Sequence, residues 1–223
     1  MKGDQEAALI KRYAGYLFDL DGTLVDTASD INAALNHALV SAGFPAVDED
    51  LTRHWIGHGA RILIEQALER HGRSPESVDA LLDRFIDHYE ANIAALSQPY
   101  PEVVETLELL RERGAKLAVV TNKRTQLTEP LLDALDLTRH FHSIVCGDTA
   151  AHPKPAADPA LHACRALGLS PDAVLFVGDS ETDVACARAA GCPVVCVPGG
   201  YNHGIPAAEL GADAVIESFR VLV

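Results

Sequence analysis

The 223-residue sequence has no long hydrophobic run. Without a stretch of about 18 consecutive apolar residues, we expect no membrane-spanning segment and no membrane partner. Residues 1–13 contain two acidic side chains and no apolar segment of the signal-peptide type. Together these absences predict a cytoplasmic protein.

Basic side chains are scarce as well. Lys and Arg total 18 against 32 Asp and Glu, which gives a formal net charge of −14. Because nucleic-acid binding depends on clustered Lys and Arg at the phosphates, no nucleic-acid partner is expected. An acidic chain that handles phosphate must supply positive charge locally, from a few placed side chains or from a metal ion.

The cysteines are few and do not suggest pairs. There are five, an odd number, and they form no Cys-x-x-Cys pair. Cys192 and Cys196 fall in a strand-like apolar run, whereas Cys164 and Cys186 fall in helical patterns. In a cytosolic chain of this size, the pattern predicts buried free thiols rather than a disulfide framework.

Six short apolar runs alternate with amphipathic helical stretches. The runs lack the polar alternation of half-exposed strands, which is typical of parallel strands buried on both faces. The alternation predicts an α/β fold with a doubly wound parallel sheet. The predicted strands are Tyr16–Leu20, Lys116–Thr121, Ser143–Cys146, Ala173–Gly178, Pro193–Val197 and Ala214–Ile216.

One interval breaks this alternation. From about Val25 to about Gln98 the sequence shows helical patterns and no convincing strand. We therefore predict a core domain of residues 1–24 and 97–223, with a helical domain of residues 25–96 inserted after the first strand.

The first predicted strand ends in two acids. The sequence FDLDGT places Asp19 and Asp21 two residues apart, followed by Gly22, which permits a tight turn. Two carboxylates leaving a buried strand are electrostatically costly unless a cation joins them. Because ligands of an open α/β sheet bind beyond the carboxyl ends of its strands, both acids are candidate site residues.

Further polar residues follow other strands or lie in a rigid loop. The second core strand ends in Thr121-Asn122, and Lys154 lies in a loop held by prolines. Asp179 and Asp183 lie in VGDSETD, at a strand-to-helix turn. Taken singly, a strand-final Thr, a loop Lys and a helix-capping Asp have ordinary structural explanations.

Taken in order, these motifs resemble the haloacid dehalogenase (HAD) superfamily. The order is Asp-x-Asp-Gly-Thr, then strand-final Thr, then Lys, then Gly-Asp-x-x-x-Asp, and the resemblance runs from Gly15 to Ala214. The helical insertion resembles that superfamily's mobile cap, so we call residues 25–96 the cap. The resemblance implies a HAD-like Rossmannoid core, Mg²⁺ as cofactor and a small phosphorylated metabolite as partner, in a monomer or homodimer.

The resemblance also implies roles for the acids. Asp19 is expected to attack phosphorus and form an aspartyl-phosphate, and Asp21 is expected to act as general acid and then base. The carboxylates of Asp19 and Asp179, with the backbone carbonyl of Asp21, are expected to hold Mg²⁺.

The remaining motif residues are expected to act on the phosphoryl group. Thr121 and the amide of Asn122 would hold its oxygens, and Lys154 would offset charge between nucleophile and phosphoryl group. Asp183 is expected to lie beyond the metal's direct ligands, where it would position Lys154 or a metal-bound water.

Several stretches are similar to bacterial phosphoglycolate phosphatases: DLDGTLVDT, IGHGA, VVTNK, LFVGDSETD and GYNHG. Four positions depart from that pattern. Glu102 replaces the glycine of Pro-Gly-Val, two alanines follow Lys154-Pro155 in place of His-Pro, and His58 replaces an Asn. None of these departures touches the predicted catalytic set, and His58 bears on substrate choice.

Phosphoglycolate carries a carboxylate as well as a phosphate, so the cap is expected to bring a donor to this second anion. The turn Gly57-His58-Gly59 precedes a predicted helix that begins near Ala60, and helix N-termini seat anions. Arg61 and His58 are the predicted substrate-binding residues there, Arg61 through a bidentate contact and His58 as a protonated donor.

The same residues bear on four alternative functions. Asp21 argues against a dehalogenase, and the lack of Lys between Val25 and Gln98 argues against a phosphonate hydrolase with a Schiff-base lysine. A signalling receiver domain has neither the insertion nor an acid/base aspartate two residues after the phospho-acceptor. A mutase of the β-phosphoglucomutase kind stays open. Among phosphatase substrates, phosphoglycolate is favoured over sugar or aminosugar phosphates, pyrophosphate and nucleotides.

Overall fold

The computed structural model describes residues 12–72 and 78–223, and within them all six predicted strands form. Their ends lie within two residues of the predicted ones. The strands, with two short additional ones, are β1 (Gly15–Phe18), β2 (Val25–Asp26), β3 (Gln98–Pro99), β4 (Lys116–Val120), β5 (Ser143–Val145), β6 (Val174–Gly178), β7 (Val194–Cys196) and β8 (Ala214–Val215).

The main sheet is parallel and has helices on both faces. Its strand order is β5-β4-β1-β6-β7-β8, which confirms the predicted doubly wound α/β class. The helices are α1 (Ala28–Ser41), α2 (Glu49–Trp55), α3 (Ala60–Arg70), α4 (Val78–Ala91), α5 (Val103–Glu112), α6 (Thr125–Ala134), α7 (Asp158–Leu167) and α8 (Glu181–Ala190).

The side chains of β1 alternate between two helical layers. Tyr16 and Phe18 pack into a hydrophobic cluster with α5 and α6, and Leu17 packs into a second cluster with α7 and α8. All three are buried. The central strand is therefore covered on both faces, which explains why its sequence is apolar without alternation.

Helices α1 to α4 lie in the cap and pack around a hydrophobic cluster of their own. It includes Leu35 of α1, Ile64 of α3 and Phe85 of α4. Two residues of the core, Leu127 of α6 and Tyr201, also belong to this cluster. The cap thus has its own apolar interior and a small apolar contact with the core.

Two features of the cap were not predicted. Helix α2 begins after Asp48, whose side chain accepts a hydrogen bond of 2.7 Å from the N–H of Leu51. The prediction of no strand between Val25 and Gln98 is wrong at both ends, because β2 and β3 pair antiparallel, with Val25 opposite Pro99. Strands of two residues are too short to show a hydrophobic pattern.

The chain enters and leaves the cap at adjacent points. Near the β2–β3 pair, the Asp30 carboxylate of α1 accepts hydrogen bonds from the N–H groups of Leu96 and Ser97 and from the Ser97 hydroxyl. Asp30 is almost fully buried, so these bonds replace the water it loses. The two ends of the insertion are therefore tied together.

Two expectations from composition can be compared with the structure. All five cysteines are buried and free, as predicted. Of the described helices, none has the length and hydrophobicity needed to cross a bilayer. Residues 1–11, which carry most of the argument against a signal peptide, lie outside the described residues.

Candidate active site

The predicted site residues converge at the carboxyl ends of three strands. Asp19 follows β1, Thr121 follows β4 and Asp179 follows β6. Because β1 lies between β4 and β6 in the parallel sheet, these three strand ends are neighbours. Sheet topology thus brings together residues that are far apart in sequence.

Asp19 is buried beside the ammonium group of Lys154. The Nζ atom of Lys154 lies 2.7 Å from Oδ1 of Asp19 and donates a hydrogen bond of 2.7 Å to Oδ1 of Asp183. The contact with Asp19 is not aligned as a hydrogen bond, so its Oδ1 has no hydrogen-bond partner among the described residues. Apart from its close contact with the Lys154 ammonium, this buried oxygen has no partner among the described residues.

Three buried carboxylates crowd this point. One oxygen each from Asp19, Asp179 and Asp183 lies within 4.8 Å of the others. Burial, and then the charge of Asp183, raises the pKa of Asp19 to about 7 despite the nearby Lys154. Burial, and then the charges of Asp183 and Asp19, raises the pKa of Asp179 well above its usual range. The ionised forms of all three acids together would therefore carry more negative charge than one lysine offsets.

These donors fit a hard divalent cation, which prefers carboxylate oxygens. Asp183 is the least available of the three. Its Oδ2 accepts hydrogen bonds from the N–H groups of Asp179 and Ser180 and from the Ser180 hydroxyl, and its Oδ1 accepts from Lys154. Ser180 and Asp183 also form the capping box of α8. The better-suited ligands are therefore Asp19 and Asp179.

Asp179 is held in place by its surroundings. Its two oxygens accept hydrogen bonds from the Thr23 hydroxyl at 2.5 Å and the Tyr201 N–H at 2.6 Å. A Cβ atom at Gly22 or Gly200 would collide with the Asp179 carboxylate. Glycine at these two positions lets the backbone approach the acid closely.

Asp21 is paired with a lysine that the sequence analysis did not assign. The Nζ atom of Lys123 lies 2.8 and 3.0 Å from the two oxygens of Asp21, which also accepts from the Thr27 hydroxyl at 2.7 Å. Burial lowers the pKa of Lys123, but Asp21 and Tyr89 raise it more, to above its ordinary value. The sequence did hold one signal for Lys123, namely its position at the end of the stretch VVTNK.

Thr121 and Asn122 lie where they were predicted, but their free groups differ. The Thr121 hydroxyl oxygen accepts from the Lys123 N–H, which leaves its proton to donate elsewhere. The Asn122 side chain donates to the carbonyls of Gly57 and Lys154 and accepts from the Lys154 N–H. It links the cap to the Lys154 loop, so only the backbone N–H of Asn122 is available for a phosphoryl oxygen.

The two predicted cap residues are not brought to the site. Arg61 lies outside the cavity lining, and its Nη2 atom contacts Oδ1 of Asp79 at 2.5 Å on the surface. The ring of His58 stacks on His203 of the core, with centroids 4.9 Å apart. Burial, and then His203, lowers the pKa of His58, which disfavours the protonated donor expected from the sequence. On α3, Ala60 and Leu63 line the cavity, whereas at Arg61 the helix has turned about 100° from Ala60.

A cavity of about 50 Å³ lies between the site and the cap. The cap side is largely apolar, and the charged side chains on its wall all come from the core. The lining residues are Asp19, Asp21, Ile31, Ile56, Gly57, Gly59, Ala60, Leu63, Phe85, Tyr89, Thr121, Asn122, Lys123, Arg124 and Leu127.

Comparison with known proteins agrees with this geometry. A model of the haloacid dehalogenase-like hydrolase family matches residues 16–197. The phosphoglycolate phosphatase of Agrobacterium fabrum is 44% identical over 208 residues, covering 92% of this chain and 89% of that protein. Phosphoglycolate phosphatase 1 of Pseudomonas aeruginosa is 42% identical over 211 residues, covering 93% and 77%.

A solved structure gives the same result. The structure of a predicted phosphoglycolate phosphatase from Haemophilus somnus aligns with a TM-score of 0.89 at 35% identity, covering 94% of this chain and 96% of that one. The resemblance drawn from the four motifs is thus confirmed, and the fold, the carboxylate cluster and the relatives identify an enzyme of the phosphatase type. The chain belongs to the haloacid dehalogenase-like hydrolase family.

Proposed function

We propose that the protein is a Mg²⁺-dependent phosphatase that hydrolyses 2-phosphoglycolate through an aspartyl-phosphate on Asp19. The observation that carries the proposal is the buried Oδ1 atom of Asp19, which lies beside Lys154 without a hydrogen bond among the described residues. Buried, perturbed carboxylates in a cleft favour catalysis over a structural role. Two phosphoglycolate phosphatases at 42% identity or more support the choice of substrate.

The proposed reaction has two halves. First, a carboxylate oxygen of Asp19 attacks phosphorus, the bond from phosphorus to the glycolate oxygen breaks, and Asp21 protonates the departing alkoxide. Then Asp21 takes a proton from a water that attacks phosphorus, and Asp19 leaves as a carboxylate. Thr27 and Lys123 hold Asp21 in position for both proton transfers.

Donors around Asp19 would stabilise charge on the phosphoryl oxygens. These are the ammonium of Lys154, the hydroxyl of Thr121 and the backbone N–H of Asn122. Burial lowers the pKa of Lys154, but Asp183 and Asp19 raise it above its ordinary value, so Lys154 keeps its charge. Asp183 would act by holding Lys154.

The carboxylates of Asp19 and Asp179 and the backbone carbonyl of Asp21 would hold Mg²⁺. The convergence of buried carboxylate oxygens from Asp19, Asp179 and Asp183 within 4.8 Å of one another supports this assignment. When bound, the cation would neutralise that charge and polarise the phosphoryl group.

The wall of the cavity on the cap side is apolar, with Ile56, Leu63 and Phe85 among its residues. These residues would keep bulk water away from the aspartyl-phosphate.

The test is Asp19→Asn, assayed for phosphate release with Mg²⁺ across a panel of phosphate esters. Turnover of 2-phosphoglycolate should fall on the order of 10⁴-fold or more, because an amide cannot form the acyl-phosphate. The control is Asp87→Asn, which alters an exposed acid of α4 and should match wild type.

Two results would count against the proposal. Retention of roughly a tenth of the wild-type rate by Asp19→Asn would refute the nucleophile. A sugar phosphate turned over by the wild type with a kcat/KM about tenfold above that of 2-phosphoglycolate would end the substrate assignment.

A further inference from the structure

The cavity lacks the cap cation expected for a substrate with two anionic groups. Of the charged residues on its wall, Asp19 and Asp21 are acidic, and Lys123 and Arg124 belong to the core. Arg124 has a side chain 56% exposed, near Asp148, whereas Lys123 is buried. Among the described residues, the second anion must therefore be met by Lys123 or by neutral donors.

One neutral donor is unusually placed. Tyr89 of α4 is 1% exposed and lines the cavity, and its hydroxyl has no hydrogen-bond partner among the described residues. A buried hydroxyl without a partner is costly, so such groups are rare unless a ligand or a water completes them. The Nζ atom of Lys123 lies 4.7 Å from the centre of the Tyr89 ring. The free hydroxyl and the buried cation are therefore neighbours.

A helix N-terminus reaches the same cavity. Gly59 and Ala60, which begin the 11-residue helix α3, line the wall, and no side chain caps this helix. The first N–H groups of a helix lack internal partners and attract anions. Among the described residues, the free donors of the cap on this wall thus come from two helices, α3 and α4.

We propose that the Tyr89 hydroxyl and the N-terminus of α3, facing Lys123, form a subsite for the carboxylate of the substrate. The inference rests on the proposed function, because it concerns the part of phosphoglycolate remote from phosphorus. It replaces the predicted contacts from Arg61 and His58, which lie outside the cavity. The enzyme would then discriminate against an ester that lacks the carboxylate, because such an ester leaves these buried donors unpaired.

The experiment uses Tyr89→Phe, which removes only the hydroxyl. We measure the ratio of kcat/KM for 2-phosphoglycolate to kcat/KM for ethyl phosphate, which has the same two-carbon chain without the carboxylate. The ratio should fall at least about tenfold. The matched control is Tyr100→Phe, since the Tyr100 hydroxyl is also buried without a partner but lies outside this cavity. Its ratio should stay at the wild-type value.

Binding provides a second measurement that does not need turnover. In the Asp19→Asn background, Tyr89→Phe should weaken the binding of 2-phosphoglycolate at least about fivefold more than the binding of ethyl phosphate, because a hydrogen bond to a charged group is lost. Calorimetry measures both affinities.

The outcomes separate the two proposals. Equal ratios in wild type, Tyr89→Phe and Tyr100→Phe, with active hydrolysis of phosphoglycolate, would overturn the subsite and leave the proposed function standing. Similar losses in both Tyr variants would also overturn it, because the effect would then be general. If the wild type hydrolyses neither ester, the proposed function fails, and the binding comparison alone decides the subsite.

Discussion

At the scale of single residues, Asp19 lies in an electrostatically unfavourable position. The proposed nucleophile must be ionised, yet burial and the neighbouring carboxylate of Asp183 favour its protonated form. Lys154 offsets this effect only in part. The side chain is therefore expected to destabilise the metal-free fold at neutral pH, which is a common feature of catalytic groups.

This position gives a pH-dependent prediction for the metal-free protein. The pKa of Asp19 is about 7 when folded against an ordinary 3.8, so the folded state binds the proton more tightly than the unfolded chain. Its contribution to the free energy of unfolding is present below about pH 4 and is lost as the pH rises through about 7. Asp19→Asn does not titrate. In EDTA, the thermal midpoint of this variant should therefore rise relative to that of the wild type as the pH increases from about 5 to about 8.

The measurement is thermal unfolding followed by circular dichroism. By about pH 8 the variant should be more stable by several degrees, since about 1 kcal/mol corresponds to about 2–4 °C for a chain of this length. The thermal midpoint of Asp87→Asn should change with pH in the same way as that of the wild type. Parallel curves for Asp19→Asn would show that Asp19 keeps its ordinary pKa in the fold.

At the scale of elements, the start of α5 is strained. Glu102 precedes this helix with φ of 67°, in the left-handed region, where glycine carries no penalty. In the Pro-Gly-Val pattern to which this stretch is similar, the position is glycine. The Glu102 carboxylate accepts a hydrogen bond of 2.5 Å from the Ser218 hydroxyl and lies 3.3 Å from Nε of Arg220. These contacts offset part of the backbone cost.

Two substitutions separate the backbone effect from these contacts. Glu102→Ala and Glu102→Gly both remove the contacts, but only glycine relieves the left-handed strain. Glu102→Gly should therefore be more stable than Glu102→Ala by about 1 kcal/mol in urea unfolding, with unchanged m-values. Equal stabilities would mean that the left-handed conformation costs nothing here.

The site residues that follow strands could be predicted from the sequence, whereas those on cap helices could not. Asp19 and Asp179 follow strands whose apolar runs are visible in the sequence, so the sheet edge could be derived. Arg61 lies outside the cavity lining. The predicted helix start placed this residue near the site without fixing the direction of its side chain. Tyr89 went unassigned because an aromatic residue in an amphipathic helix is read as core, and its free hydroxyl appears only once its neighbours are known.

For the whole molecule, the core was predictable and the cap's attachment was not. The six strands and their class followed from buried apolar runs. The order of those strands, which brings Thr121 and Asp179 to either side of Asp19, is a tertiary property that the hydrophobic pattern does not contain. The β2–β3 pair is formed by backbone bonds between distant residues, so it leaves no local sequence signal.

Metal binding should stabilise the whole folded chain. At about 100 times its Kd, Mg²⁺ would stabilise the native state by about 2.7 kcal/mol, or about 5–10 °C in thermal midpoint, and EDTA should abolish both the shift and the activity. Asp179→Asn should lose most of the shift. Asp172→Asn, which alters an exposed acid, should retain it. An undiminished shift in Asp179→Asn would remove Asp179 from the metal ligands.

The pairing of β2 with β3 has a consequence for how such a protein can diversify. Paired strands lie about 4.8 Å apart, so the cap leaves and rejoins the core at nearly one point. An insertion joined in this way has the same effect on the sheet as a long surface loop. The entropic cost of closing a loop grows only slowly with its length. Caps of different size and sequence can therefore be exchanged in evolution at this junction, while β1 and the acids that follow it keep the same phosphoryl chemistry.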